Sequence, residues 1–216
     1  MNRKALVVFT YAGQQEMVNR HHAYFERGGS DIIYIYPKDA TLLAPKGVTG
    51  IAIGKSEHYG SELMQRMGIG IGLVAAMNYD TIAVVEGDSI VLRPIPDAQP
   101  SGIDCFLYDT NGDPQWKAKH YVHWPWLMSG ATAYLVGRGL QAMVEAGDIE
   151  RGFPDRMLGL CAERLDIELR HRPDLTYSRN RVDAPEYIQQ ARTAIASGAV
   201  FVHGLKTQLD IDAILK

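Results

Sequence analysis

Two short apolar runs separated by one helix-length segment constrain this chain more than anything else in it. Residues 5–9 read Ala-Leu-Val-Val-Phe and residues 32–36 read Ile-Ile-Tyr-Ile-Tyr. Both are rich in β-formers and have the unbroken apolar character of strands covered on both faces. Between them, residues 14–27 place Met17, Val18, Ala23 and Tyr24 at helical spacing, and Gly28-Gly29 stops the helix. Pro37 ends the second run. An opening of this β-α-β kind calls for a parallel sheet with right-handed crossovers.

The alternation continues. Residues 48–53 read as a third strand and residues 61–77 as a helix with Leu63, Met67, Ile71, Val74 and Ala75 on one side. Gly68, Gly70 and Gly72 each cost that helix about 1 kcal/mol against Ala, a cost that close approach to a sheet or a ligand would justify. Residues 81–85 form the clearest strand and run straight into Glu86-Gly87-Asp88; residues 90–92 extend beyond that break, and Pro94 and Pro96 end them. Further on, residues 103–108 predict a strand, 111–114 a turn, 131–136 a strand and 138–146 a helix. Residues 155–164 predict a helix with Pro154 at its first turn. Residues 170–187 are polar and proline-punctuated, 188–197 predict a helix, and 199–203 a last strand. The pattern is α/β, with a mixed, mostly parallel sheet flanked by helices.

Composition closes off several classes. With 216 residues the chain fits one domain, and an apolar fraction of 46% with 22% charged residues is that of a globular protein. Two cysteines, Cys105 and Cys161, make neither a disulfide framework nor a zinc site, and read as small buried hydrophobes. No apolar run approaches the ~20 residues of a membrane span, and the run after Arg3 and Lys4 breaks at residues 10–13, unlike a signal peptide. A cytoplasmic protein is the expectation. The formal charge of −3 argues against broad nucleic-acid binding, although Arg164, Arg170, Arg172, Arg179 and Arg181 concentrate in one region, as a basic site or as a solvated face.

The strongest chemical signal is Glu86-Gly87-Asp88. In an extended segment residues i and i+2 share a side, and two carboxylates at the carboxyl end of a strand hold Mg²⁺ or Mn²⁺ or simply form an acidic turn. His203, after Phe201-Val202, is a metal ligand or a structural hydrogen-bonder, with Lys206 nearby to meet a phosphate. Asp155, in Phe153-Pro154-Asp155-Arg156, is a helix cap or a general base. Ser129-Gly130 brings backbone N–H groups to a ligand or forms a turn. His120, His123, Trp124 and Trp126 form an aromatic cluster suited to stacking on sugars or to a core corner.

Taken in order, these signals resemble the GT-A-type glycosyltransferases, nucleotide-sugar-dependent enzymes with a Rossmann-like fold. Glu86-Gly87-Asp88 is similar to the DxD-type metal motif, with Glu in its first acidic position. Ser129-Gly130-Ala131 resembles the acceptor-side loop before a strand. Pro154-Asp155-Arg156-Met157-Leu158-Gly159 resembles the acidic segment with a following glycine, and His203 the late histidine that completes the metal site. Phe9-Thr10-Tyr11-Ala12-Gly13 occupies the place of the nucleotide-binding first loop. The resemblance runs from Ala5 to Lys206.

It implies a single GT-A-like domain over residues 1–216, with a nucleotide-sugar-binding half (1–100) and an acceptor-side half (101–216) that carries the late metal-ligand strand. Asp88, Glu86 and His203 would hold Mn²⁺ or Mg²⁺. Thr10, Tyr11, Gly13, Glu86, Ser129, Gly130 and Lys206 would contact a nucleotide sugar, with a UDP-sugar as first expectation. Asp155 would be the base of an inverting, fringe-like reaction. The acceptor would be a saccharide, a lipid-linked sugar, a protein or a hydroxylated DNA base. The chain departs from the pattern in Glu86, in the single acid at Asp155, and in a length that leaves little for an acceptor domain. An inactive sugar-nucleotide-binding or interaction domain and a nucleotidyltransferase are the competing readings. Residues 10–15 hold one glycine and no lysine or arginine, against the basic loop of the latter.

Overall fold

Strand β1 (Lys4–Phe9) is buried from Ala5 to Phe9 because both of its faces are covered. Ala5, Val7 and Phe9 point into one apolar cluster and Leu6 and Val8 into another, as the two-residue period of a strand requires. The computed structural model describes residues 2–40, 44–45, 47–56, 60–109, 120–149, 154–174, 176–177 and 185–216.

After β1 the chain forms α1 (Gln15–Phe25), a 3-10 turn (Glu26–Gly28), β2 (Asp31–Tyr36), β3 (Thr49–Ala52), α2 (Ser61–Ala75), β4 (Thr81–Glu86) and β5 (Ile90–Val91). Then come β6 (Ile103–Asp109), β7 (His120–Ser129), α3 (Gly130–Glu145), α4 (Pro154–Arg164), β8 (Leu169–His171), β9 (Thr176–Tyr177), α5 (Pro185–Ala196), β10 (Phe201–Val202) and α6 (Gln208–Leu215). A seven-stranded sheet has the order β3-β2-β1-β4-β7-β6-β8. Only β7 runs against its neighbours within that sheet. A second sheet, β5-β10-β9, stands beside it. The architecture is the expected α/β with a mostly parallel mixed sheet flanked by helices, and it is compatible with a Rossmann-like fold.

Helix α1 covers one face through Val18 and Phe25, while α2, α3 and α4 cover the other through residues such as Met67, Val136 and Leu158. The glycines of α2 serve two approaches at once. A Cβ on Gly70 would come within 3.1 Å of the Ile35 side chain of β2; one on Gly68 would meet Gly137 O of α3 at 3.0 Å, and one on Gly137 would meet Gly72 N at 2.7 Å. The close approach is to sheet and helix, and no ligand is needed to explain it.

Three expectations change. Residues 131–136 are not a strand but the start of α3: the Ser129 hydroxyl accepts from Thr132 N at 3.2 Å and caps the helix, and Ala133, Val136, Gly137 and Leu140 are buried at helical spacing. The strand is instead the aromatic stretch that precedes it, β7. Among its described residues the polar stretch 170–187 holds β9 and the last two residues of β8, and residues 208–215, for which the sequence pattern predicts no element, form a helix started by a Thr207–Asp210 capping box. The turn expected at 111–114 lies outside the described residues. Among the described residues no helix is long and apolar enough to cross a membrane.

Gly137→Ala is therefore expected to cost about 1–3 kcal/mol, the range for forcing extra atoms into a packed interior. Gly72→Ala, whose Cβ meets only the Gln141 side-chain nitrogen at 3.6 Å, is expected to be neutral or to gain up to about 1 kcal/mol of helix propensity. Urea unfolding checks the pair, and equal stability of the two variants contradicts a glycine-dependent α2–α3 contact.

Candidate metal centre

The strand order turns at β1: β2 and β3 lie to one side of it and β4 to the other. The crevice beyond the carboxyl ends of β1 and β4 is where open α/β sheets bind ligands. Phe9 and Glu86 are paired at that edge. Gly87 N donates to Phe9 O at 2.9 Å and Ser89 N to Glu86 O at 3.0 Å, so the chain turns sharply after Glu86. A Cβ on Gly87 would come within 3.3 Å of the Met17, Gln14 and Thr10 side chains, which is why this turn carries a glycine.

The second sheet delivers the third residue. Pairing of Val202 with Ile90 and Phe201 with Val91 lays β10 antiparallel on β5 and brings His203 against the turn. Leu205 N donates to Asp88 O at 2.8 Å, and the buried Tyr187 hydroxyl donates to His203 O at 2.7 Å. Glu86, Asp88 and His203 each offer one ligand atom, and these atoms lie within 4.8 Å of one another. His203 Nδ1 is 3.0 Å from Asp88 Oδ1 and 3.1 Å from Ser89 Oγ; Nε2 is 3.9 Å from Glu86 Oε2. Asp88 Oδ1 is buried and faces the His203 ring, whose Nδ1 is shared with Ser89 Oγ, so no well-aligned hydrogen bond falls on that oxygen. Two carboxylates set against one imidazole leave an excess of negative charge, which a divalent cation held by all three would offset.

The electrostatics follow from burial and from two acids sharing one site. Burial, then the Asp88 charge, pushes Glu86 up to about 7, against the pull of His203, a hydrogen bond from Tyr11 and the Lys206 charge. For Asp88, burial pushes the carboxyl up, but His203, Lys206 and His21 together hold it below its ordinary value. Burial opposes a charge on His203 and is outweighed by Asp88 and Glu86, which hold the imidazole above its ordinary value. Burial and Glu86 raise the Tyr11 phenol, which stays protonated and donates to Glu86.

Asp155 stands in the first turn of α4 with its side chain 20% exposed. Oδ1 accepts the Arg156 backbone N–H at 3.1 Å, as a capping residue would, and Oδ2 lies 3.7 Å from His123 Nε2. Burial raises Asp155 above the usual carboxylate range, against the pull of Arg156. The His123 ring centroid is 6.4 Å from that of His203. His123 thus stands beside both Asp155 and His203, a place the sequence reading did not give it. Its signal was its place in β7: Val122, Trp124, Trp126 and Met128 all enter one apolar cluster, so His123 belongs to the opposite face.

The remaining candidates divide. Thr10 is buried and Tyr11 nearly so at the end of β1, and Gly13 follows with φ 82°. Lys206 is exposed, and its charge reaches both Glu86 and Asp88. Ser129 and Gly130 are not brought to this edge. Ser129 pairs Thr81, the first residue of β4, whereas Glu86 is the last; at ~3.3 Å per residue that is roughly 17 Å away. There Ser129 caps α3, and a Cβ on Gly130 would strike Tyr79 O at 2.1 Å. Trp124 and Trp126 are buried and stacked on each other at 3.9 Å, so the core reading replaces sugar stacking. Burial raises both cysteine thiols, Cys161 to about 12. Arg164 pairs with Asp148, Arg170 with Asp104 and Glu168, and Arg172 with Asp104 and Asp174; Arg179 and Arg181 lie outside the described residues.

No protein-family model matches the chain, and no curated protein matches it significantly.

Without metal, the folded protein keeps a proton on Glu86 up to about pH 7, whereas a free glutamate releases it near 4.5. Glu86 therefore contributes stability that is lost as pH rises from about 5 through 7, and His203, held above 6.5, extends that loss upward; burial holds His123 and His21 below 6.5, which acts in the opposite sense over the same window, so the Glu86 contribution is read as the difference between the parent and Glu86→Gln. Asp88, held below 3.8, opposes that loss only in strong acid. A cation that displaces the Glu86 proton binds at least about tenfold more tightly at pH 8 than at pH 6, since His203 must lose its proton as well. Mg²⁺ calorimetry in two buffers of different ionisation heat reads both affinity and proton release; a pH-independent affinity contradicts Glu86 as a ligand.

Proposed function

We propose that this chain is a GT-A-like, metal-dependent glycosyltransferase that moves a sugar from a nucleoside diphosphate, a UDP-sugar first, to an acceptor hydroxyl. The observation that supports it best is the convergence of one ligand atom each from Glu86, Asp88 and His203 within 4.8 Å of one another, beside the crevice where the strand order turns. The residues that would hold Mn²⁺ or Mg²⁺ are Asp88, Glu86 and His203. Bound there, the ion supplies positive charge against the departing diphosphate.

The chain's own groups supply the rest. Thr10, Tyr11 and Gly13 line the nucleoside side of the crevice, and Lys206 meets a phosphate from the rim. Asp155, its affinity for a proton raised by burial, takes the proton of the acceptor hydroxyl through Oδ2. The acceptor oxygen forms its bond to the sugar carbon as the bond to the diphosphate breaks, which inverts that carbon. Donor-side and acceptor-side roles thus fall on different elements: β1 and β4 for the donor, α4 for the acceptor. The pairing of Arg164, Arg170 and Arg172 with acids favours a saccharide, lipid-linked sugar or protein acceptor over a hydroxylated DNA base.

A thermal-shift screen of UDP-, GDP-, CMP-, ADP- and dTDP-sugars with and without Mn²⁺ tests this reading. A donor at about 100 times its Kd adds roughly 2.7 kcal/mol of stability, and the gain is expected to require the metal. Asp88→Asn is expected to abolish it with the fold intact. Asp155→Asn is expected to keep it and to lower kcat by about 10²–10⁴-fold. No metal-dependent shift with any nucleotide sugar, or full activity of Asp88→Asn, contradicts the proposal.

A further inference from the structure

His123 is a buried ionisable group that this mechanism leaves without a task. Its side chain is 8% exposed, on β7, next to an irregular stretch where the pairing with β6 shifts register. Such irregularities re-aim side chains. Nε2 lies 3.7 Å from Asp155 Oδ2, and the ring stands near that of His203. Burial, then the His203 charge, pushes His123 down to about 3, so the imidazole is neutral and carries one N–H.

Asp155 is pulled from two directions. Its Oδ1 accepts the Arg156 N–H, and the N-terminus of α4 attracts the second oxygen as well, since a helix N-terminus favours negative charge. A carboxylate turned wholly onto its own helix is a cap and cannot reach an acceptor. The side chain that Oδ2 faces away from the helix is His123, at 3.7 Å.

We infer that His123 is a positioning residue for Asp155, holding Oδ2 on the side of the Glu86–Asp88–His203 centre. This rests on the reading of Asp155 as the base. The 3.7 Å separation is longer than a hydrogen bond, and contacts of this kind tighten when a substrate is bound. His123 acts through Asp155 and belongs neither to the metal ligands nor to the donor pocket.

Crystal structures and Mg²⁺ calorimetry of the parent, His123→Ala and His123→Gln test the inference. In His123→Ala the Asp155 carboxylate is expected to rotate onto the N-terminus of α4. In His123→Gln, whose amide nitrogen reaches about as far as Nε2, it is expected to stay. Mg²⁺ affinity is expected to agree within about twofold among the three, and kcat with a UDP-sugar to fall at least about tenfold in His123→Ala at unchanged KM, with recovery in His123→Gln. An unmoved Asp155 in His123→Ala overturns the inference. So does a parallel tenfold loss of Mg²⁺ affinity, which would make His123 part of the metal centre. Asp155→Asn separates the two readings: unchanged turnover in that variant removes the base, whatever His123 does to the carboxylate.

Discussion

The hydrogen bond from Leu205 N to Asp88 O, beside the two-residue pairing of β10 with β5, is the contact on which the candidate centre depends. It joins segments more than a hundred residues apart, so the ordering it needs is costly. The offset comes from apolar burial: Ile90, Tyr187, Ala191, Val202, Leu205, Ile211 and Ile214 form a cluster of their own around the second sheet. That cluster packs α5 and α6 against the second sheet. They fix β10, and β10 fixes His203 over the turn that follows β4.

Bringing Glu86, Asp88 and His203 together creates a conflict that their side chains alone resolve only in part. Two carboxylates taken from water within a few ångströms of each other do not both ionise comfortably. Asp88 has His203 and ionises; Glu86, farther from the imidazole, holds its proton to about pH 7. One imidazole leaves the two carboxylates with negative charge in excess. A divalent cation removes the difficulty: it displaces the Glu86 proton and neutralises the pair. The metal reading thus rests on the charge balance of the site as much as on which residues compose it.

How much of this could be read from sequence depends on which neighbours each residue keeps. The runs 5–9, 32–36 and 81–85 became β1, β2 and β4 because strands covered on both faces are apolar at every position, and their carboxyl ends placed Tyr11, Glu86 and Asp88 correctly at one edge. Residues 131–136 misled because Tyr134 and Leu135, each 51% exposed on α3, complete an apolar run that hides the helical spacing of Ala133, Val136 and Leu140. With that helix read as a strand, Ser129 and Gly130 read as a ligand-side loop, whereas they lie at the far end of β4. His123 was obscured by its aromatic neighbours, two of which are core, and its partner Asp155 is distant in sequence. The short helix α6, with Leu209 79% exposed, has little amphipathic signal to read.

The central claim is that Glu86, Asp88 and His203 form a divalent metal site, and anomalous diffraction from crystals soaked in Mn²⁺ tests it most directly. The account predicts one strong anomalous peak in contact with a carboxylate oxygen of Glu86, one of Asp88 and a ring nitrogen of His203, at metal–ligand distances of about 2.0–2.3 Å. It also predicts loss of that peak in Asp88→Asn. No peak at this edge, with the three side chains ordered as described, would contradict it.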